Sequence, residues 1–333
     1  MEQRVFKLSF ETINNEVWAM TREERFSFLS ADGKTTIDAV KWIPESGQYH
    51  AILQISHGMV EYIDRYRHFA EFLNEHGYLV VGHSHLGHGK SVTSEENWGY
   101  FAEKDAADIL NKDMHTLRTM IQTENEGVPY FMLAHSMGSY LLRRYLTIYN
   151  DNLRGAIIMG TGCVPAQTAK MGRTVCSILA KFFGWHHRSK FVNSLTFGGP
   201  YKKFNMDGTA PENSWLCRDA ECVKRYYNDP ACTYIFTLNG FHTLMDTVYY
   251  DIQMENVKKT PTKLPIFLVS GQNDPVGDLG EGVKKVYYMY EEAGLRDVTY
   301  KLYENDRHEL INEPDKEIVF NDILSWMEVH ITT

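Results

Sequence analysis

Short apolar runs alternate with helix-patterned stretches along most of this chain, and that alternation restricts the folds open to it. Apolar runs stand at residues 51–56, 78–82, 129–134 and 155–160, and helical patterns follow the first three at 65–76, 104–123 and 137–149. The rhythm resumes late, with runs at 265–270 and 298–303 and helical patterns at 282–293 and 316–330. Runs without a polar alternation are what a parallel sheet covered by helices on both faces requires. Residues 65–76 illustrate the helical pattern. Tyr66, Phe69, Ala70 and Leu73 fall at i, i+3, i+4 and i+7, one buried stripe. Residues 26–29 and 35–42 flank the turn Ala31-Asp32-Gly33 and predict a hairpin that adds an antiparallel edge.

The length, 333 residues, suggests about two domains. Residues 164–248 break the rhythm and predict an inserted, mainly helical cap on a discontinuous core of residues 1–163 and 249–333. With 43% hydrophobic and 23% charged residues, the chain is neither disordered, collagenous nor a coiled coil. A net charge of −9 argues against nucleic acid as a partner. That charge is uneven. Residues 164–248 carry ten Lys or Arg and six Asp or Glu, a balance of +4, against −13 for the remainder. A basic cap predicts contact with anionic lipid headgroups at a membrane surface, against the plainer reading of a solvated face. No apolar run approaches the roughly 18 residues of a membrane span. Residues 1–22 carry Glu2, Arg4, Lys7, Glu11 and Glu16 among their apolar residues, so no leader is expected there. The cysteines number five and lack a CxxC spacing, which points away from disulfides and zinc and towards a cytoplasmic setting.

One segment carries most of the chemistry. In Phe131-Met132-Leu133-Ala134-His135-Ser136-Met137-Gly138, an apolar strand meets a helix at Ser136, with small residues two before and two after it. A nucleophile on so sharp a turn needs small flanks, because neighbouring backbone crowds the bend. The turn also aims a free backbone N–H at the substrate carbonyl. Serine at such a place equally serves as a helix N-cap. A serine hydroxyl needs a base, and His308 follows the last apolar run. An acid should follow the preceding one, where Asp274 stands; Asp278, four residues on, is the rival. Oxyanion donors are expected at the N–H of Met137 and, after the run at 51–56, at the N–H of Met59 beyond the tight turn His57-Gly58. His57, Gly58, Ala134, His135 and Gly138 would support the elbow and the loop.

The order Ser136, Asp274, His308 is that of the α/β-hydrolase fold. Four segments extend the likeness: His57-Gly58-Met59-Val60-Glu61-Tyr62 with Arg65-Tyr66, Leu86-Gly87-His88-Gly89-Lys90-Ser91, Ala134 to Gly138, and Arg307-His308-Glu309-Leu310-Ile311-Asn312-Glu313. With them the chain resembles the monoacylglycerol lipase and bacterial lysophospholipase branch of the α/β hydrolases, grouped with the serine aminopeptidases. The resemblance implies a triad at Ser136, Asp274 and His308, a carboxylic ester or lipid as substrate, and no cofactor or metal. Two positions depart from it. Ala134 stands for the usual glycine, and Ser84 for the usual Asp in His83-Ser84-His85-Leu86-Gly87-His88-Gly89. The resemblance makes His83, His85 and His88 packing residues and not metal ligands. It leaves open a peptidase of the aminopeptidase type, and a catalytically silent ligand-binding homologue.

Overall fold

The computed structural model describes residues 21–149 and 151–331; residues 1–20, which hold nearly all of the stretch read for a leader, lie outside the described residues. Eight strands form one sheet: β1 (Arg22–Leu29), β2 (Thr36–Ile43), β3 (Ala51–Ser56), β4 (Tyr78–His83), β5 (Tyr130–His135), β6 (Gly155–Met159), β7 (Ile266–Gly271) and β8 (Val298–Tyr303). Their spatial order is β1-β2-β4-β3-β5-β6-β7-β8. From β4 to β8 every pairing is parallel, while β1 and β2 form the expected antiparallel edge. β1 starts earlier than its apolar residues suggest. Arg22 to Arg25 pair with β2 as fully as the rest, and an edge strand can keep charges on its open face.

The helices are α1 (Arg67–Glu75), α2 (Ala106–Glu124), α3 (Met137–Leu146), α4 (Ala166–Phe183), α5 (Lys190–Thr196), α6 (Ala220–Asn228), α7 (Leu238–Asp251), α8 (Met254–Val257), α9 (Glu281–Glu292) and α10 (Lys316–Ile331). α1 and α10 bury Phe69, Leu73, Phe320 and Ile323 on one face of the sheet. α2, α3 and α9 bury Leu110, Leu141 and Val286 on the other. Every residue of β3 to β7 is buried, which explains their mainly apolar character without polar alternation.

Between β6 and β7 the chain leaves the sheet. Residues 164–248 supply α4, α5, α6, short 3-10 turns and most of α7. α7 packs against α4 and also against α3, and it runs beyond residue 248 to Asp251. Contact between α4 and α7 is close at Gly172, where a Cβ would lie 3.0 Å from Met245. These helices roof the carboxyl ends of β3, β5 and β7, the edge where an open parallel sheet accommodates ligands.

Candidate active site

The turn after β5 gives Ser136 a φ of +53°, a left-handed value that non-glycine residues rarely adopt. Its side chain does not cap α3. Instead Ser136 Oγ lies 2.8 Å from Nε2 of His308. The bend is possible because α3 passes tightly under β3. A Cβ on Gly138 would meet the Ser56 and His57 carbonyl oxygens at 2.4 and 2.5 Å. Ala134 is fully buried in β5, so its extra methyl group is accommodated within the packed sheet.

His308 Nδ1 lies 2.9 Å from Oδ2 of Asp274. The carboxylate accepts, so Nδ1 carries the proton and Nε2 is left to accept from Ser136. Asp274 is fully buried and oriented by the Ser270 hydroxyl at 3.1 Å and the Val276 N–H at 2.8 Å. Gly271 lets the two loops meet, since a Cβ there would lie 2.1 Å from the Arg307 carbonyl. The rival Asp278 is exposed in a left-handed turn.

Met59 and Met137 line the same cavity as Ser136 and His308, and neither backbone N–H has an acceptor among the described residues. His57 faces away from the serine: Nδ1 donates to the Gly58 carbonyl at 2.8 Å, and Nε2 accepts the His85 N–H at 2.8 Å. Burial pushes His57 down to about 4 and holds His83, His85 and His88 below their ordinary range, so these imidazoles are neutral. Their nitrogens do not converge as ligands. Among the described residues, ligand atoms gather only at Cys217, Cys222 and Glu309, and at Asp306, Glu313 and Asp315. Arg65 already holds Glu309, and the Arg218 guanidinium holds the second group.

Two features of the site escaped the sequence reading. The first is a buried ionic cluster of Glu61, Arg65, Glu309 and His135 beside Ser136. Burial pushes the Glu61 and Glu309 carboxyls up, but His135 and Arg65 hold Glu61, and Arg65 holds Glu309, below the usual range. Burial likewise lowers His135, and Glu61 more than reverses it, leaving the imidazole above its ordinary value. The i,i+4 spacing of Glu61 and Arg65 was the available signal. The second is Trp215, stacked on His308 with ring centroids 5.0 Å apart and planes at 27°. No sequence pattern marks it.

Above Ser136 lies a cavity of about 390 Å³, walled by apolar side chains such as Val175, Phe197, Leu244, Met245 and Val248. Residues 47–315 match the family model described as serine aminopeptidase, S33. The chain belongs to this family. The monoacylglycerol lipase of Mycolicibacterium smegmatis is 24% identical over 311 residues, 93% of this chain and 99% of that protein. The monoglyceride lipase of Homo sapiens is 26% identical over 301 residues, covering 88% and 86% of the two chains. A carboxyl esterase from Bacillus coagulans, solved in complex with glycerol, is 29% identical with a TM-score of 0.84, covering 93% of this chain and 99% of that one. The fold is the α/β-hydrolase fold.

Proposed function

We propose that this chain hydrolyses carboxylic esters through a triad of Ser136, His308 and Asp274, with monoacylglycerols or lysophospholipids as substrates. The observation that carries the reading is the hydrogen-bonded series from Ser136 Oγ through His308 to Asp274, at 2.8 and 2.9 Å, on the floor of an apolar cavity. His308 takes the serine proton as Oγ attacks the ester carbonyl. The oxyanion sits between the N–H groups of Met59 and Met137. His308 then protonates the departing alcohol. Water, deprotonated by the same imidazole, releases the acyl group from Ser136. No step requires a metal or cofactor.

Lipase and esterase relatives support an ester, and the apolar wall supports an acyl chain. Peptidase action is favoured by the family description alone. A peptide's free amine needs an unpaired acid, and the two glutamates on the cavity wall, Glu61 and Glu309, are both paired with Arg65.

In this reading residues 164–248 are the cap, and their outer surface meets anionic lipid. Phe182, Phe183 and Phe191 are exposed there among Lys181 and Lys190, an apolar and basic combination suited to the membrane interface. The contact proposed is peripheral and from a cytoplasmic setting; none of the described helices is long and apolar enough to cross a membrane.

A hydrolysis panel of acylglycerols, lysophospholipids, p-nitrophenyl esters and aminoacyl amides tests the assignment. Turnover of the lipid esters is expected. Preference for the amides would replace it with the peptidase reading.

A further inference from the structure

The cluster beside Ser136 places four ionisable side chains in a buried wall, a costly arrangement unless each is paired. Every member is. Glu61 Oε1 accepts the Gly58 N–H at 2.5 Å, the Tyr66 hydroxyl at 3.0 Å and His135 Nδ1 at 3.1 Å. Its Oε2 accepts from Arg65 at 2.9 Å, and Arg65 forks onto both oxygens of Glu309 at 2.7 Å. On its far side, His135 Nε2 lies 3.1 Å from the backbone carbonyl oxygen of His308.

Both nitrogens of His135 therefore face acceptors, and an imidazole can serve two acceptors only as the doubly protonated cation. The four charges then sum to zero. The connections also have a direction. Gly58 immediately precedes Met59, the oxyanion donor on the β3 loop. His135 immediately precedes Ser136. The carbonyl that His135 reaches belongs to His308 itself. One hydrogen-bonded series thus spans the oxyanion loop, the nucleophile turn and the base loop, which are far apart in sequence.

We propose that Glu61 and His135 are a positioning pair, which holds the Met59 N–H and the His308 ring in register with Ser136. Neither hydrogen-bonds to Ser136 Oγ or to the His308 ring nitrogens, although the His135 ring lies against the His308 ring with centroids 4.5 Å apart. Glu61 fixes the peptide that leads into the donor, and His135 fixes the backbone that carries the base. The same contacts explain why Gly58 has no side chain: a Cβ there would lie 2.6 Å from Glu61 and 2.9 Å from the Ser136 Cβ. The inference rests on the triad proposed above.

The test is steady-state kinetics on a soluble p-nitrophenyl ester with wild type, Glu61→Gln, His135→Gln and the double variant. Misplacement of the donor or base by a fraction of an ångström should lower kcat in each single variant by about 10- to 100-fold, with KM within about twofold. The two losses should not multiply in the double variant, since either change breaks the same series. Where Glu61→Gln fails to fold, Glu61→Asp keeps the charge for Arg65 but withdraws it from Gly58, and it should show the same selective loss in kcat. Folded variants with wild-type kcat and merely lower melting temperatures would overturn the proposal, as would losses that multiply. Failure of the triad reading looks different: Ser136→Ala would then turn over the ester as wild type does.

Discussion

The floor of the cavity is held from every side, whereas its roof combines ties to the core with exposed apolar side chains. On the floor, Asp274 receives three hydrogen bonds, and Gly138 and Gly271 bring separate backbones close enough to exclude a methyl group. The roof is anchored near the base by Arg218, which reaches Glu313 at 3.0 Å and Asp306 and Asp315 at 2.5 Å, and by the Glu309 N–H on the Leu216 carbonyl at 2.7 Å. At the other end Arg188 binds the carbonyls of Glu96, Trp98 and Ile235. On either side of Arg188 in the chain, Phe182 is 78% exposed and Phe191 62%. Under the proposed function the difference separates two jobs. Bond-making chemistry tolerates little displacement, so its residues are over-determined. Admitting an apolar substrate needs apolar surface, and a few strong ties suffice to keep that surface over the serine.

The largest effect expected from this contrast lies on the floor. Asp274→Asn should lower kcat by up to roughly 10⁴-fold, as an amide at that place favours the wrong tautomer of the base. Asp278→Asn should leave kcat near wild type. If the two results were exchanged, the acid would be Asp278 and the floor would be misread.

A smaller effect concerns stability. His83 is fully buried at the end of β4, and neither of its nitrogens has a hydrogen-bond partner among the described residues. Burial pushes it down to about 3, from an ordinary value near 6.5. Below pH 6.5 the unfolded chain binds a proton that the folded chain refuses, so this group lowers stability as pH falls from about 6.5 towards 3. His83→Leu removes the penalty. Relative to wild type, the variant should gain about 2 kcal/mol between pH 7.5 and pH 5, read from urea denaturation at both values. A difference that stays constant with pH would show that His83 is not held neutral.

The roof should yield the smallest change in chemistry. Phe182→Ser with Phe183→Ser should weaken binding to anionic vesicles while leaving turnover of a soluble ester within about twofold, as exposed side chains seldom affect the interior. Equal binding of wild type to neutral and anionic vesicles would remove the charge argument. A large fall in soluble turnover would mean that the roof shares the work of the floor.

The parts of the molecule that were legible in the sequence are those with local signals. Mainly apolar runs located β3 to β7, because burial on both faces leaves no polar alternation. The Ala134–Gly138 bend singled out Ser136, and strand order brought Asp274 and His308 to the same sheet edge. Element ends were less legible: α3 stops at Leu146 and not at residue 149, and β1 begins with charged residues. Glu61 and His135 lie 74 residues apart, and Trp215 and His308 lie 93 apart. Such pairs have no periodicity to betray them; only the fold brings them together. The histidines at 83, 85 and 88 invited a metal reading by proximity, yet their rings pack edge to face and their nitrogens are not among the ligand atoms that gather within the described residues.

The claim on which the rest depends is that Ser136 is the nucleophile. A fluorophosphonate probe reports it directly, since the probe reacts with a hydroxyl activated by a neighbouring base. Digestion and mass spectrometry of the labelled protein should place the adduct on Ser136, and Ser136→Ala should abolish both labelling and ester turnover. An adduct on another residue, or full turnover by Ser136→Ala, would contradict the account.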